Sequence, residues 1–358
     1  MESISRSREI IMSIMDKLKK NSKLDSDIIT KSKYYGKKEM ASTDVPMINV
    51  ALSGSVDGGL SPGVTILAGP SKHFKTSFSL KIAAAYMQKY EDAVMLFYDS
   101  EFGSPQSYFE MFDIDMERVL HCPITNIEEL KFDLTNQLDQ IEKGDKVIIV
   151  VDSLGNLASK KEVEDALNEK AVADMTRAKQ LKSLFRIVTP HLSMKDIPFI
   201  AVAHTYDTQE MFSKKVVSGG TGLYYSADDI WILGRRQNKE GTEIKGYDFV
   251  INVEKSRYVR EKSIIPISVT WEGGIDVGSG LLDVALAGKF ITKPSQGWYS
   301  KVDPETGEVE DKKYRAKELT EEFWSDIISS EQFKEFVEDN FKIGGSSNIE
   351  VVSPDEIV

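Results

Sequence analysis

Residues 69–76 read GPSKHFKT, which nearly matches the phosphate-binding loop pattern G-x-x-x-x-G-K-[S/T]. In that pattern backbone N–H groups surround phosphates, the lysine reaches the β- and γ-phosphates, and the hydroxyl residue binds Mg²⁺. A Gly-Pro turn that leads into an amphipathic helix is the alternative reading of these letters. The residues predicted to bind a nucleoside triphosphate are Gly69, Pro70, Ser71, Lys72, His73, Phe74, Lys75, Thr76 and Ser77.

Phe74 stands where the pattern has its second glycine. If the backbone there needs a positive φ, a bulky residue is strained by roughly 1–2 kcal/mol. Alternatively, the loop follows a path that phenylalanine tolerates, with the ring packed against the adjoining helix. We expect the second path, because phosphates need only N–H groups that point inward.

Three further apolar runs end in residues that could do chemistry. Asp152 directly follows VIIVV, Glu101 comes shortly after AVMLFY, and His204 directly follows PFIAVA. An aspartate at the end of a buried strand helps to hold Mg²⁺ in phosphate-loop enzymes, a carboxylate can activate water, and an imidazole can hydrogen-bond a γ-phosphate. Taken singly, each residue also fits an ordinary structural role at the end of a strand.

The elements that must position these residues alternate along the chain. Near-continuous apolar runs are typical of strands buried on both faces of a parallel sheet, and ligands bind beyond the carboxyl ends of such strands. The pattern therefore predicts an α/β fold with a central, mostly parallel twisted sheet and one polar edge. The predicted strands are 64–68, 93–98, 147–151 and 198–203, and the predicted helices are 75–90, 126–142 and roughly 160–192.

Both ends of the chain differ from this core. Apolar residues at helical spacing predict an N-terminal helix over 4–20, which docks on the core or on a neighbouring subunit. After residue 230, IWIL, DFVINV and IIPISV are separated by short turn-like segments and predict a hairpin-rich extension of the sheet. We divide the chain into an N-terminal helical segment (1–42), a core (43–300) and a small acidic C-terminal extension (301–358).

Composition limits the partners and the compartment. The net charge is −12, which at first argues against nucleic acid, but residues 1–40 carry +4 and residues 301–358 carry −9. An acidic tail can compete with DNA phosphates for a basic site, or it can simply keep the protein in solution. We predict a cytoplasmic protein without membrane contact, because the sequence has no long apolar run, no secretory signal at its N-terminus and a single cysteine, Cys122.

The order of these motifs resembles the RecA-type DNA strand-exchange recombinases. The segments GGLSPGVTILAGPSKHFKT, LFYDSEFG, VIIVVDSLGNLAS and the strand ending at His204 carry the resemblance, which is closest to the UvsX-type recombinases of tailed phages. VEKSR, GGIDVGSGLLDVAL and GWYS extend it over about residues 45–300. The resemblance implies a RecA-like ATPase core and a recombinase that uses ATP and Mg²⁺. Such a protein forms helical filaments on single-stranded DNA and pairs that DNA with a homologous duplex.

The resemblance also implies roles for single residues. Lys75 and Thr76 match the loop lysine and the magnesium-binding hydroxyl residue, and Asp152 matches the magnesium-side aspartate. Glu101 matches the glutamate that activates water, and Tyr108 matches an aromatic residue that stacks on adenine.

Further implied roles concern the γ-phosphate and the neighbouring subunit. His204 takes the place of a glutamine that senses the γ-phosphate in bacterial members of the family. Lys255 and Arg257 match basic residues that reach across a filament interface to a neighbour's phosphates. The two residues are thereby predicted to complete a catalytic site in another copy of the chain.

Two predicted DNA-binding loops follow from the same resemblance. Residues 211–227 contain two lysines, three glycines and no acidic residue, which suits contact with a single strand but also fits a plain surface loop. The resemblance places the second DNA loop here and the first near 159–175, although the first has acidic neighbours. The candidate DNA-binding residues are Lys160, Lys161, Lys170, Phe212, Lys214, Lys215, Gly219 and Gly220.

We expect the γ-phosphate to order the second loop through His204, so that the ATP state grips DNA and the ADP state releases it. The resemblance further implies a single-strand-binding protein and a loading mediator as partners. Two alternatives remain open. One is a ring-shaped ATPase or helicase motor on the same core, and the other is a non-hydrolysing, nucleotide-gated DNA scaffold.

Overall fold

The computed structural model describes residues 2–168, 176–207, 215–240, 243–271 and 273–346. The helices within these residues are α1 Glu2–Asn21, α2 Pro46–Ser53, α3 Lys75–Lys89, α4 Gln106–Met111, α5 Ile127–Gln140, α6 Lys160–Leu167, α7 Thr176–Lys195, α8 Gly220–Ser226, α9 Leu281–Ala287, α10 Glu321–Ser329 and α11 Glu331–Phe341. The strands are β1 Gly63–Ala68, β2 Val94–Asp99, β3 Val119–Pro123, β4 Val147–Asp152, β5 Pro198–Ala203, β6 Thr205–Asp207, β7 Lys215–Val217, β8 Asp229–Glu240, β9 Glu243–Lys255, β10 Ile264–Thr270, β11 Gly274–Ile275, β12 Ile291–Ser295, β13 Trp298–Lys301 and β14 Tyr314–Arg315.

A large mixed sheet forms the centre of the molecule. In the described part of the chain its strand order is β11-β10-β9-β8-β1-β5-β4-β2-β3. The strands from β8 to β3 run parallel, and β9, β10 and β11 continue the sheet as antiparallel hairpins. The predicted α/β fold, its four buried strands and its hairpin-rich extension are confirmed.

Alternate side chains of each central strand face opposite sides of this sheet, as the two-residue period of a strand requires. Val64, Ile66 and Ala68 of β1 belong to the apolar cluster under α5 and α7. Leu67 belongs to the cluster on the other face, together with α2 and α3. Both faces are thus covered, which explains why the strands read as continuous apolar runs.

The strand register brings the polar strand ends together. Ala68 of β1 pairs with Ala203 of β5, so the loop at residue 69 starts beside His204. Asp99 at the end of β2 pairs with Asp152 at the end of β4. The four segments predicted to bind nucleotide therefore leave the sheet at one edge.

Two elements differ from the sequence prediction. Strand β3, with the sequence VLHCP, was not predicted because it is a half-exposed edge strand with polar residues and a proline. The helix predicted over roughly 160–192 is two helices, α6 and α7. Helix α6 begins at its own capping box, in which Ser159 accepts a hydrogen bond from the backbone N–H of Glu162 and the Glu162 side chain reaches back.

The N-terminal residues Met1–Glu39 form a compact unit distinct from Met40–Val358. The predicted helix is present as α1, and its residues Ile10, Ile11, Ile14 and Leu18 are each more than half exposed. Lys19 and Asp27 form an ion pair of 2.9 Å within this unit. Helix α1 thus carries an exposed apolar face.

The C-terminal part of the larger unit has a small sheet of its own. Strands β12, β13 and β14 pair in that order, and helices α9, α10 and α11 pack near them around Phe290, Phe333 and Phe341. Strand β13 crosses position 300, so the division at that position stays a proposal. Among the described residues, no helix combines the length and the apolar character needed to cross a bilayer.

Candidate functional site

The loop at residues 69–74 joins β1 to α3 and lines a cavity of about 610 Å³. Lys75 begins the helix and is 7% exposed, and its Nζ donates a hydrogen bond of 2.7 Å to the carbonyl oxygen of Pro70. Burial lowers the pKa of Lys75, while the negative charges of Glu101 and Asp152 oppose that shift. A helix N-terminus and a buried ammonium at one cavity wall make a site for an anion.

The backbone at Phe74 corrects our expectation for this loop. Its φ is 60° and its ψ is 19°, the left-handed conformation that the glycine of the pattern would adopt easily. The expected alternative path is therefore wrong, although the ring does pack on the adjoining helix. It lies edge-on to Phe78 of α3, with ring centroids 5.3 Å apart, and stacks on Phe249 of β9 at 4.9 Å. These contacts offset the backbone strain.

Thr76 and Asp152 form the part of the site that suits a divalent cation. The Thr76 hydroxyl donates a 2.8 Å hydrogen bond to Oδ2 of Asp152. Burial raises the pKa of Asp152 to about 6, while the hydrogen bond from Thr76 lowers it. Oδ1 of Asp152 is buried and has no hydrogen-bond partner among the described residues.

This pair fits Mg²⁺, which takes oxygen ligands and usually keeps several waters. A cation beside Asp152 would satisfy the buried Oδ1 atom and stabilise the charged carboxylate. The described residues contain no group of three or more histidine, cysteine or acidic side chains that could hold a metal. The remaining ligands of a cation here would therefore come from water and from phosphate oxygens.

Glu101 and His204 meet in the same cavity. The Ser153 hydroxyl donates a 2.6 Å hydrogen bond to Oε1 of Glu101, and Nε2 of His204 lies 3.4 Å from the same oxygen. The backbone N–H of Glu101 donates to Oδ1 of Asp99, which fixes the start of this loop. Sequence reasoning missed Ser153, although its position directly after Asp152 at a strand end was a usable signal.

Gly155 explains how the His204 ring fits beside this loop. A Cβ atom on Gly155 would lie 2.3 Å from Cδ2 of His204, so only glycine leaves room for the imidazole. The carbonyl oxygen of His204 accepts a hydrogen bond from the N–H of Ser218, and β6 pairs with β7 next to it. His204 thus has its side chain in the cavity and its backbone at the base of the second predicted DNA loop.

Aromatic residues line the mouth of the cavity. Tyr108 of α4 is 37% exposed and Trp271 after β10 is 65% exposed, and both line the cavity. The guanidinium of Arg235 lies 4.5 Å from the ring centre of Tyr247 and donates to the carbonyl oxygen of Lys72. Sequence reasoning identified Tyr108 but missed Trp271, Arg235 and Tyr247. Arg235 lies on β8, shortly after the residues of β8 that pair with β1, and therefore at the same edge of the sheet.

Lys255 and Arg257 do not line this cavity. Phe249 of β9 lines the cavity and pairs with Arg235 of β8, whereas Lys255 of β9 pairs with Ile230. At about 3.4 Å per residue, Lys255 lies about 20 Å further along β9 than Phe249. The two cations therefore lie toward the opposite end of the sheet.

Both cations are held there. Nζ of Lys255 donates to the carbonyl oxygens of Tyr224 and Ala227 at 2.8 and 2.7 Å. Nε of Arg257 forms an ion pair with Oδ1 of Asp228, and the Arg257 side chain is 67% exposed. Burial lowers the pKa of Lys255.

The predicted DNA-binding residues are only partly described. Lys170, Phe212 and Lys214 lie outside the described residues. Lys160 and Lys161 are exposed on α6, which begins at the Ser159 capping box, and their contact with DNA stays a prediction.

The described end of the second predicted loop contains β7 and the start of α8. Lys215 is exposed on β7. Gly219 has a φ of 127° and Gly220 a φ of 74°, values that favour glycine, and together they begin α8. The loop therefore passes directly into a helix.

Comparisons with known proteins cover nearly the whole chain. The family model described as the RecA N-terminal domain matches residues 11–276. A second, described as the C-terminal domain of the bacteriophage T4 recombination and repair protein, matches residues 279–337. The recombination and repair protein of Enterobacteria phage T4 is 52% identical over 344 residues, which cover 94% of this chain and 88% of that protein.

Proposed function

The chain belongs to the RecA family of recombinases, in its UvsX-type branch, and we propose that it pairs homologous DNA and exchanges strands in an ATP-dependent helical filament. The observation that carries this proposal is the convergence of four strand ends on one cavity. The phosphate loop, Glu101, Asp152 and His204 all line it. Recombination, recombination-dependent replication and repair are the processes that such a filament serves.

Lys75 and Thr76 bind the phosphates and the cation in this proposal. Lys75 exchanges the carbonyl oxygen of Pro70 for phosphate oxygens, which costs only one hydrogen bond. Thr76 and Asp152 hold Mg²⁺ through their oxygens. The bound cation would neutralise charge on the β- and γ-phosphates. Tyr108 and Trp271 hold the base at the exposed end of the cavity by stacking.

Glu101 acts as the general base that accepts a proton from the attacking water. Ser153 fixes one carboxylate oxygen of Glu101 and leaves the other for that water. His204 shares the oxygen held by Ser153, so it can turn to a γ-phosphate only when it leaves Glu101. Nucleotide binding therefore changes the partner of His204.

The change at His204 couples nucleotide to DNA. Because its backbone closes the base of the second predicted loop at Ser218, movement of the imidazole is passed to that loop. The ATP state then grips single-stranded DNA and the ADP state releases it. Equal affinity for a fluorescent oligonucleotide with ATP analogue and with ADP would exclude this coupling.

Lys255 and Arg257 act on a neighbouring copy of the chain. They lie too far from their own cavity to touch its phosphates, which supports a site shared along a filament. The exposed apolar face of α1 supports self-association as well. A single-strand-binding protein and a loading mediator complete the proposed set of partners.

A D-loop assay tests the function directly. With ATP, Mg²⁺ and a labelled single strand, the protein should form joint molecules with a homologous duplex and not with a non-homologous one. Phosphate release should rise when single-stranded DNA is added. Strand separation without pairing, with closed rings under the electron microscope, would favour a ring motor, and DNA binding without phosphate release would favour a scaffold.

A further inference from the structure

Arg177 makes an unusual set of contacts at the start of α7. Its Nε donates to the carbonyl oxygen of Leu157 at 2.8 Å, and its Nη2 donates to those of Leu154 and Gly155 at 2.8 and 3.1 Å. Burial lowers the pKa of this guanidinium, and the negative charge of Glu162 opposes that shift. A half-buried arginine thus donates three hydrogen bonds to neutral carbonyl groups of one short loop.

The loop that Arg177 holds carries both proposed catalytic contacts. Ser153, directly before it, donates to Oε1 of Glu101. Gly155 lies against the His204 ring at a distance that admits no side chain. Any shift of residues 153–157 therefore moves the groups that set the positions of Glu101 and His204.

Arg177 also closes the first predicted DNA loop. Residues 159–175 lie in sequence between the carbonyl groups that Arg177 binds and Arg177 itself. At the second predicted loop, the hydrogen bond from Ser218 to the carbonyl oxygen of His204 plays the same closing part. The bases of both loops are thus tied to residues of the catalytic cavity.

We propose that Arg177 is a positioning residue that holds residues 154–157, and through them Glu101 and His204, in place. This proposal rests on the proposed function. The guanidinium fixes three carbonyl groups of this loop. The loop acts on Glu101 through Ser153 and on His204 through the fit at Gly155.

A direct contact between Arg177 and a DNA phosphate is the competing role. The three carbonyl contacts already occupy the guanidinium, and release to DNA would leave buried carbonyl groups without donors. The two roles differ in what they control. A positioning residue changes turnover, whereas a phosphate contact changes DNA affinity and its salt dependence.

The experiment compares Arg177→Lys with Arg186→Lys, a control at an exposed position on the same helix. Lysine keeps the charge but cannot span three carbonyl groups. At saturating single-stranded DNA, Arg177→Lys should lower the kcat of ATP hydrolysis by roughly tenfold or more, as losses of supporting contacts do. Its KM for ATP and its affinity for a fluorescent oligonucleotide should stay within about twofold of wild type.

A second variant tests the link from this loop to Glu101 independently of how Arg177→Lys folds. Ser153→Ala leaves the carbonyl contacts of Arg177 in place and should lower kcat by a similar factor. The double variant should lose little more than either single variant, since both act on one path. Wild-type kcat in Ser153→Ala, or multiplied losses in the double variant, overturns the proposal.

The remaining outcomes separate the two hypotheses. Weakened DNA binding with unchanged kcat in Arg177→Lys would assign Arg177 to DNA contact and overturn the positioning role alone. A wild-type protein whose ATP hydrolysis ignores single-stranded DNA would overturn the proposed function, and this inference with it. Reduced kcat in Arg186→Lys would show that the assay reports general damage to α7, which also counts against the proposal.

Discussion

Two buried aspartates, one at each end of the central sheet, respond to burial in the same way but have different hydrogen-bond partners. Burial raises the pKa of Asp152 to about 6 and that of Asp229 to about 7. Asp229 accepts a 2.5 Å hydrogen bond from the hydroxyl of Ser256 and another from the backbone N–H of Arg257. Asp152 keeps one oxygen without a partner among the described residues.

The difference shows that a raised pKa alone does not identify a functional carboxylate. Both groups lose water, and only the partners that replace it differ. A buried oxygen left without a donor is the feature that indicates a cation site.

The lysines at the two ends differ in the same sense. Lys75 donates to one carbonyl oxygen, which it would give up to bind a phosphate under the proposed function, whereas Lys255 is held by carbonyl oxygens at the end of α8. Lys75, at the cavity end of the sheet, can therefore exchange its partner easily, whereas Lys255, at the opposite end, must first be released from its carbonyl partners. In a filament that release would come from the neighbour's phosphates.

The largest expected effect comes from removing Lys255 and Arg257, the two cationic residues at the end of the sheet opposite the cavity. Lys255→Ala with Arg257→Ala should bind nucleotide normally but lose DNA-stimulated hydrolysis by roughly a thousandfold, the scale of arginines that act across an interface. Phosphate release measures the loss, and Lys293→Ala, at an exposed position, is the control. Unchanged hydrolysis would place the shared site elsewhere.

Glu101→Gln should lower the same hydrolysis by roughly 10²–10³-fold, because it removes the general base. Nucleotide binding should persist, as read from the fluorescence of the exposed Trp271. Glu110→Gln, at an exposed position on α4, is the matched control. Turnover within tenfold of wild type would contradict the role of Glu101.

Mixing these two inactive variants sharpens the comparison. In a filament with heterologous contacts, Glu101 from one copy and the two cations from its neighbour can form intact sites. Random mixing of equal amounts should restore roughly a quarter of wild-type turnover, because each of two conditions is met in about half of the sites. No recovery would mean that both sets of residues act within one copy.

Asp229→Asn tests the buried carboxylate of the opposite end. Burial raises the pKa of Asp229 to about 7 in the folded protein, above the ordinary aspartate value of 3.8, so the folded state binds more protons between these values. The free energy of unfolding therefore rises as the pH falls from above 7 to below 4. Asparagine removes this dependence, so the variant should exceed wild type at about pH 8 and match it near pH 4.

The upper bound of this gain is roughly 4 kcal/mol, the free energy that corresponds to the interval between the two pKa values. Urea unfolding at a series of pH values measures it. Asp92→Asn, at an exposed position, should show no such trend. A constant difference across pH would show that Asp229 is charged throughout.

The smallest effect is expected at Phe74. Phe74→Gly relieves a left-handed backbone but removes the ring contacts with Phe78 and Phe249, for a net loss of about 1–2 kcal/mol. Thermal unfolding should show a lower midpoint. Phe249→Leu removes the stacking on Phe74 and the ring contacts of Phe249 with Phe78 and Tyr247 but keeps the strained backbone, so it should be at least as destabilising. A stabilised Phe74→Gly would mean that strain exceeds packing.

The sequence predicts the phosphate end well because its signals are local. Near-continuous apolar runs, each followed within three residues by a polar residue, predicted Glu101, Asp152 and His204 at one edge, and the structure places all three around one cavity. The same reasoning could not find the contact between Ser153 and Glu101, since it depends on how neighbouring strands are offset. Nor could it find Arg177, whose partners lie some twenty residues earlier in the chain.

The path of the phosphate loop shows the same limit. Local rules disfavour a positive φ at a phenylalanine, and only the aromatic partner on β9 makes it acceptable. Contacts between segments distant in sequence thus override local preference.

Gly155 has a consequence for anyone who engineers this protein or compares it with relatives. Positions 155 and 204 share a fixed volume, so the two residues should change together and not singly. A smaller residue such as serine at 204 should make a side chain at 155 less harmful, with the 3.2 Å approach to the backbone nitrogen of residue 204 still to be relieved. Such mutual dependence makes the pair epistatic, and an ancestral or designed sequence should exchange both positions in one step.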